Sequence, residues 1–356
     1  MATEHAHEAF LLMRQCAGRC LVTYTMRLVG QHPLWQSYDK QFKALCKDII
    51  SCSPPLAFIQ SKHGGLGLLL SEHTAASACL ASTLEAEKAT QMAVNKEVLH
   101  HFAADPRWIR SSGALNALGL PRLDDIVADA VRSTTRTEKL QHKCVEVIEE
   151  TQRSKLIESL TPAQEGRRRG SLQPAANLWL TNLVQLNSAH FRLLVRHRFL
   201  QPITATTPIC PQCRKVTLDQ EGQHILSCMT SGSRTVLHSS LCKSIAQVAS
   251  QGLLNATREY RPQPTISDLR VDIALRDVDT TTCFDVAIHN PAWPAYPASP
   301  GGAAQRYEKV KNTKYQPLMT DSTVFIPLVA ETGFCWSPSA LAALRSSAFP
   351  FLRDSG

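Results

Sequence analysis

The chain has 356 residues, 44% of them hydrophobic and 19% charged, and a formal net charge of +8 at pH 7. This length allows two or three domains with sizeable cores, and the composition is typical of a soluble globular protein. We expect no membrane span, because no run of eighteen apolar residues occurs. We expect no secretory signal either, because the start, MATEHAHEAF, lacks a basic segment followed by an apolar one. The basic balance favours a polyanionic partner.

The first half of the chain is predicted to be helical. Residues 8–50 and about 80–160 have helical character, and the GGLG segment between them is predicted to form a tight turn rather than a phosphate-binding loop. The stretch TPAQEGRRRGSLQP is predicted to be a polar break. An amphipathic segment follows it, and we expect its cations Arg192, Arg196 and Arg198 to lie on one helix face.

The strongest motif is CPQCRKVTLDQEGQHILSC. Twelve scattered cysteines in a chain without a visible secretory signal should stay reduced, as buried thiols or metal ligands. Three thiolates and one imidazole, from Cys210, Cys213, His224 and Cys228, suit a closed tetrahedral zinc site of structural type. His238 is an alternative fourth ligand.

A predicted β-hairpin, LRVDIALRDVDTTTCFDVAIHNP, carries one aspartate in each strand. Aspartate is depleted from strands, so Asp272 and Asp285, with twelve residues between them, need an explanation. Two carboxylates on neighbouring strands can share Mg²⁺ or Mn²⁺, which activates a water and stabilises charge on a phosphodiester. Asp272 could instead cap or pair at a strand edge, and Asp285 could bind Arg270 or Arg276 across the hairpin.

The elements around the hairpin complete a small α/β domain. A helix is predicted from His238 to about Glu259, then the hairpin, a helix, a strand that ends at Glu331, and a last helix. On the helix after the hairpin, Ala303, Tyr307 and Val310 form an apolar face with Lys314, which is therefore predicted to point inward. An inward lysine could orient water or neutralise a phosphate, or it could simply extend its charge from a buried stem to solvent.

These residues resemble the C-terminal part of non-LTR retrotransposon proteins that carry a Cys-Cys-His-Cys knuckle and a restriction-like endonuclease of the PD-(D/E)XK type. Arg270-Val271-Asp272 stands at the family's basic-Pro-Asp position, Asp285 follows at the expected gap, and Lys314-Tyr315 matches its downstream Lys-Tyr pair. FIPLVAETG is similar to the family's later strand, and patches such as CAGRCL and HGGLGL are similar to the region after the reverse-transcriptase palm.

Some positions depart from the family. Val271 replaces the usual proline, and Ala287 stands where many such enzymes hold their lysine. The polymerase palm is absent, so we expect no polymerase activity and interpret the chain as a C-terminal piece of a retroelement protein.

The resemblance implies an α+β fold in which thumb-like and connector-like helices, a zinc knuckle and an α/β endonuclease domain follow one another. The implied activity is metal-dependent nicking of target DNA in the nucleus, with Asp272 and Asp285 holding Mg²⁺ or Mn²⁺ and with Lys314 and Glu331 assisting. DNA, and the element RNA as a further partner, would contact Arg192, Arg196, Arg198 and Lys311. The predicted segments are 1–82, 83–170, 171–204, 205–235 and 236–356.

Two other functions compete with the endonuclease. A degraded copy would bind nucleic acid without cleaving it. A zinc-stabilised helical scaffold for protein partners would show little affinity for DNA and no steep loss of binding with salt.

Overall fold

A computed structural model describes residues 4–17, 19–52, 55–94, 105–117, 138–181, 184–220, 222, 224–225, 228, 230, 232–251, 255–290, 301–333 and 335–345. Over these residues the protein is a mixed α+β fold with eleven α-helices and one four-stranded sheet. The chain divides into a helical unit, Met1–Leu160 with Trp179–Val195, and a sheet unit, Thr161–Leu178 with Arg196–Gly356. The predicted α+β class is thereby confirmed, whereas the five-segment division stays a prediction.

Helices occur in both units of the chain. They are α1 (Ala6–Leu12), α2 (Arg19–Val29), α3 (Pro33–Ile50), α4 (Ser71–Val94), α5 (Pro106–Ala117), α6 (Glu138–Glu158), α7 (Pro162–Gly170), α8 (Ser188–Arg198), α9 (Gly232–Gln251), α10 (Gly302–Tyr315) and α11 (Pro338–Arg345). Among the described residues, no helix combines the length and the apolar character that a membrane crossing requires.

The helical unit is held together around α4. The buried carboxylate of Asp39 accepts the backbone N–H groups of Ser71 and Glu72, each at 2.9 Å, and so satisfies the first donors of α4. The predicted tight turn at GGLG is confirmed: a Cβ on Gly65 would lie 2.1 Å from the carbonyl oxygen of Ile59, so only glycine fits there. A buried core joins α4 to α5 and α6 through Leu80, Leu84, Leu115, Cys144 and Ile148.

The arginine-rich stretch after the helical unit is a helix and not the polar break that we predicted. Thr161 and Gln164 form a reciprocal capping box at the start of α7. Arg168 is 8% exposed and forms an ion pair with Glu165 at 2.6 Å. The pairing of Arg168 with Glu165, one helical turn earlier, allows this arginine to be buried within the helix.

The sheet has the strand order β1-β2-β3-β4, where β3 and β4 are parallel and the other neighbours antiparallel. The predicted hairpin is confirmed as β2 and β3, but the helix predicted to reach Glu259 is wrong in its second part. That helix ends at Gln251, and the next described residues, NATREY, form an edge strand. The residues of this edge strand are mostly polar, so the sequence lacks the alternation of apolar and polar residues that would have indicated a strand. The strands are β1 (Asn255–Tyr260), β2 (Val271–Arg276), β3 (Thr281–His289) and β4 (Thr323–Glu331).

Helices cover both faces of the sheet. Residues of α9 and α11 pack on one face against Ile273, Phe284 and Leu328. On the opposite face, α10 contributes Tyr315 and Ala304. The side chains of a strand alternate between faces, so a polar residue on the α10 face of β3 must find its partners on α10.

Candidate functional site

The predicted zinc ligands come together in the sheet unit. The ligand atoms of Cys210, Cys213, His224 and Cys228 all lie within 4.8 Å of one another. The sulfur atoms of Cys210 and Cys228 are 3.9 Å apart, and Cys213 Sγ is 3.3 Å from His224 Nε2. Tetrahedral zinc with Zn–S bonds of about 2.3 Å places two sulfurs about 3.8 Å apart. The cluster could therefore hold a zinc ion.

A short β-bridge, Ile209 with Thr217, shapes the loop between the first two cysteines. Within it the backbone N–H of Cys210 donates to Val216, and the N–H of Arg214 donates to Cys210, each at 2.8 Å. Backbone N–H groups, first that of Lys215, lower the pKa of the Cys213 thiol to about 6. This favours the thiolate, which is the form that binds metal.

The second group of polar residues lies on the hairpin. The register of β2 and β3 pairs Ile273 with Phe284, and Asp272 and Asp285 are the residues next to this pair on the two strands. Asp285 is 5% exposed, and the side chain of Asp272 is 16% exposed. Two largely buried carboxylates on adjacent strands need compensating cations or donors.

Asp285 receives both kinds of partner from α10. The hydroxyl of Tyr315 donates to Asp285 Oδ1 at 2.5 Å and lies 2.8 Å from the carbonyl oxygen of Arg270. Lys311 Nζ lies 2.7 Å from Asp285 Oδ2. Burial, and then the hydrogen bond to Asp285, raise the pKa of the Tyr315 hydroxyl well above its ordinary value, so Tyr315 is a hydrogen-bond donor throughout the physiological range.

The lysine that pairs with Asp285 is Lys311, and the apolar face predicted for this helix is not the buried one. Lys314 and Val310 are exposed, the latter with 58% of its surface accessible. The Nζ of Lys314 nevertheless lies 3.4 Å from the hydroxyl of Tyr315, so a catalytic role of Lys314 stays a prediction. The buried face of α10 is that of Ala304, Glu308, Lys311 and Tyr315, which has the same spacing as the predicted face shifted by one residue. Lys311, which we expected to contact nucleic acid, thus lies beside the acid pair.

Asp272 has a different set of neighbours. Its Oδ2 accepts the backbone N–H of Val286 at 2.6 Å and lies 3.3 Å from His238 Nε2, on α9. The hydrogen bond to Asp272 raises the pKa of His238 to about 10. His238 and Cys242 group with Asp272 and not with the zinc ligands. The alternative that His238 completes the zinc site is therefore not what the structure shows.

Glu331 is not beside the acid pair. In the parallel register Glu331 lies opposite His289, and Asp285 lies opposite Pro327, so four residues separate the two acids along the strands. That is about 13 Å at the usual rise of a strand. Glu331 Oε1 instead accepts the N–H groups of Ala303 and Ala304 at the start of α10. Burial raises the pKa of Glu331 to about 7.

The three arginines predicted to contact DNA occupy different environments. Arg198 is 7% exposed, and its guanidinium donates to Asn177 at 2.7 Å, so it is a buried structural residue and not a surface cation. Arg192 donates to the carbonyl of Ile49, and Arg196 donates to that of Pro202. The expected common cationic face is not formed by these three residues.

The residues that sequence reasoning missed are Lys311 as the inner lysine, Tyr315 as the donor to Asp285, and His238 as the neighbour of Asp272. Tyr315 lies four residues after Lys311, and this i,i+4 spacing could have indicated that the two share a face. No such signal links His238 to a strand 34 residues away.

No protein-family model matches the chain, and no curated protein matches it.

Proposed function

We propose that the sheet unit is a metal-dependent DNA endonuclease that hydrolyses phosphodiester bonds. The observation that carries this proposal is the arrangement around Asp285: a buried carboxylate on β3 that is held by Tyr315 and Lys311 of α10, with Asp272 on the adjacent strand β2. A structural ion pair would not need a second largely buried carboxylate on the neighbouring strand. A site for a divalent cation and a phosphate does need that charge distribution.

Each residue has a distinct role in this proposal. Asp272 and Asp285 would hold the cation, which activates a water and offsets charge on the phosphate when it is bound. Tyr315 fixes the orientation of the Asp285 carboxylate through a hydrogen bond, and Lys311 supplies a cation beside it. With substrate present, the ammonium of Lys311 would neutralise the phosphate or orient the attacking water. Glu331 would hold the start of α10 in position through its hydrogen bond from Ala303 and would not contact the reacting atoms.

The proposal extends to the origin and the partners of the chain. The Cys-Cys-His-Cys set that precedes the acid pair supports a retroelement-derived nuclease that nicks target DNA in the nucleus, with zinc as a structural ion and the knuckle as a nucleic-acid contact. DNA binding would rest mainly on phosphate contacts and would weaken steeply with salt. We propose no polymerase activity for it.

The test is nicking of a supercoiled plasmid by zinc-loaded protein, with and without added Mg²⁺ or Mn²⁺. Asp285→Asn removes the charge at the proposed site with little change of shape, and Asp279→Asn, in the exposed turn of the same hairpin, is the matched control. We expect metal-dependent nicking that Asp285→Asn abolishes and Asp279→Asn retains. Salt-sensitive DNA binding without nicking would instead support a nucleic-acid-binding remnant.

A further inference from the structure

His238, Asp272 and Val286 bring three potential metal-ligand atoms together beside the acid pair. His238 Nε2 lies 3.3 Å from Asp272 Oδ2 and 3.0 Å from the carbonyl oxygen of Val286. With metal–ligand bonds of about 2.1 Å, adjacent ligands of an octahedral ion lie about 3 Å apart. The nitrogen therefore already lies at a distance from each of the two oxygens that suits one shared ion.

The thiol of Cys242 also lies beside the imidazole. Cys242, one turn after His238 on α9, is 1% exposed, and its sulfur lies 3.8 Å from both ring nitrogens. The potential ligand atoms of His238, Cys242 and Asp272 all lie within 4.8 Å of one another. The structure thus places an imidazole, which is a metal ligand in its neutral form, beside two oxygen atoms that a cation can share.

The position is open to ions from solvent. The side chain of His238 is 35% exposed and that of Asp272 is 16% exposed, whereas Cys242 and Asp285 are buried. An ion can thus reach Nε2 and the Asp272 carboxylate from one side. The thiol of Cys242 is close to both ring nitrogens but is buried away from solvent.

We propose that His238 supplies a nitrogen ligand to the divalent cation at Asp272 and so makes this site select Mn²⁺ over Mg²⁺. Mg²⁺ favours oxygen ligands and keeps its waters, whereas imidazole ligands favour transition metals. This inference rests on the proposed nuclease site, because it concerns the cation held there. It adds the identity of the ion and a third side chain from α9.

The experiment measures metal binding apart from catalysis, on full-length protein with zinc in the knuckle. Electron spin-echo modulation of bound Mn²⁺ reports directly coordinated ¹⁴N. Calorimetry gives the affinities for Mn²⁺ and Mg²⁺. We expect ¹⁴N coupling in the parent and its loss in His238→Ala and His238→Gln. The two variants should bind Mn²⁺ about tenfold more weakly, with a change of at most about threefold for Mg²⁺. His190→Ala, an exposed histidine of α8, should leave both measurements unchanged.

The results for metal binding test the ligand role of His238 independently of the nuclease activity. If Mn²⁺ binding requires Asp272 but the bound ion shows no ¹⁴N coupling, His238 is not a ligand. The ligand role is also overturned if no Mn²⁺ binding depends on Asp272. Nicking that persists in either case would leave the proposed function standing. Conversely, ¹⁴N coupling without nicking would support the metal site and count against the nuclease. The glutamine variant, compared by thermal unfolding with the parent, shows whether any loss is a loss of fold.

Discussion

The ammonium of Lys311 lies 2.7 Å from Asp285 Oδ2, and both side chains are largely buried. Breaking a buried pair by removing one partner leaves an uncompensated charge, so the two residues depend on each other. A phosphate group entering between them would exchange one anion for another beside the same lysine. This relationship links the sheet, which carries the acid, to α10, which carries the cation.

The hydroxyl of Tyr315 should be needed for both stability and activity. Tyr315→Phe removes the hydroxyl that donates to Asp285 Oδ1 and lies near the carbonyl of Arg270, while it keeps the buried ring. We expect a loss of about 1–3 kcal/mol in the free energy of unfolding, measured with urea, together with slower nicking. Tyr307→Phe is the control, because its ring stacks on His289 and remains in place. Equal stability of Tyr315→Phe and the parent would contradict this role.

Glu331 should make stability depend on pH in a defined direction. Its pKa in the folded protein is raised to about 7 by burial, so between its ordinary value near 4.5 and about 7 the folded state binds more protons than the unfolded state. This contribution is present below about pH 4.5 and is lost as the pH rises through about 7. We expect thermal unfolding to show this decline.

Glu331→Gln tests the same residue without removing the acceptor for Ala303 and Ala304. The variant cannot ionise there, so it should gain about 1–3 kcal/mol over the parent at pH 8, and the difference should shrink towards pH 5. Its nicking rate should stay close to that of the parent, because Glu331 lies four residues along the sheet from Asp285. A loss of nicking in a folded variant would return Glu331 to the catalytic set.

Zinc removal should unfold the knuckle and leave the sheet. Its buried cluster contains little more than Cys210, Leu218 and Cys228, so metal binding, on the order of 10 kcal/mol, must supply most of its stability. We expect one zinc per chain in the parent and in Cys16→Ser, an exposed cysteine outside the cluster, but none in Cys213→Ser. Limited proteolysis of Cys213→Ser should then cut between Cys210 and Cys228 while far-ultraviolet circular dichroism changes little.

The sequence predicted the parts of the site that local patterns encode. The four zinc ligands follow a spacing that a loop imposes, and the two aspartates interrupt apolar strands, so both sets can be recognised from the order of the residues alone. The inner lysine cannot, because helical periodicity ranks faces by apolar content. The buried face of α10 includes Glu308 and Lys311, whose charges are satisfied by residues of other elements. The same limit concealed His238, whose partner lies on a strand far along the chain.

The most direct test of the proposed site compares two lysines of α10 in single-turnover nicking of supercoiled plasmid by zinc-loaded protein with added Mn²⁺ or Mg²⁺. Lys311→Ala removes the cation beside Asp285, and we expect nicking to fall by about 100-fold or more. Lys309→Ala removes an exposed lysine two residues earlier and should stay within about twofold of the parent. Equal rates for the two variants, or loss of nicking only in Lys309→Ala, would contradict the proposed site.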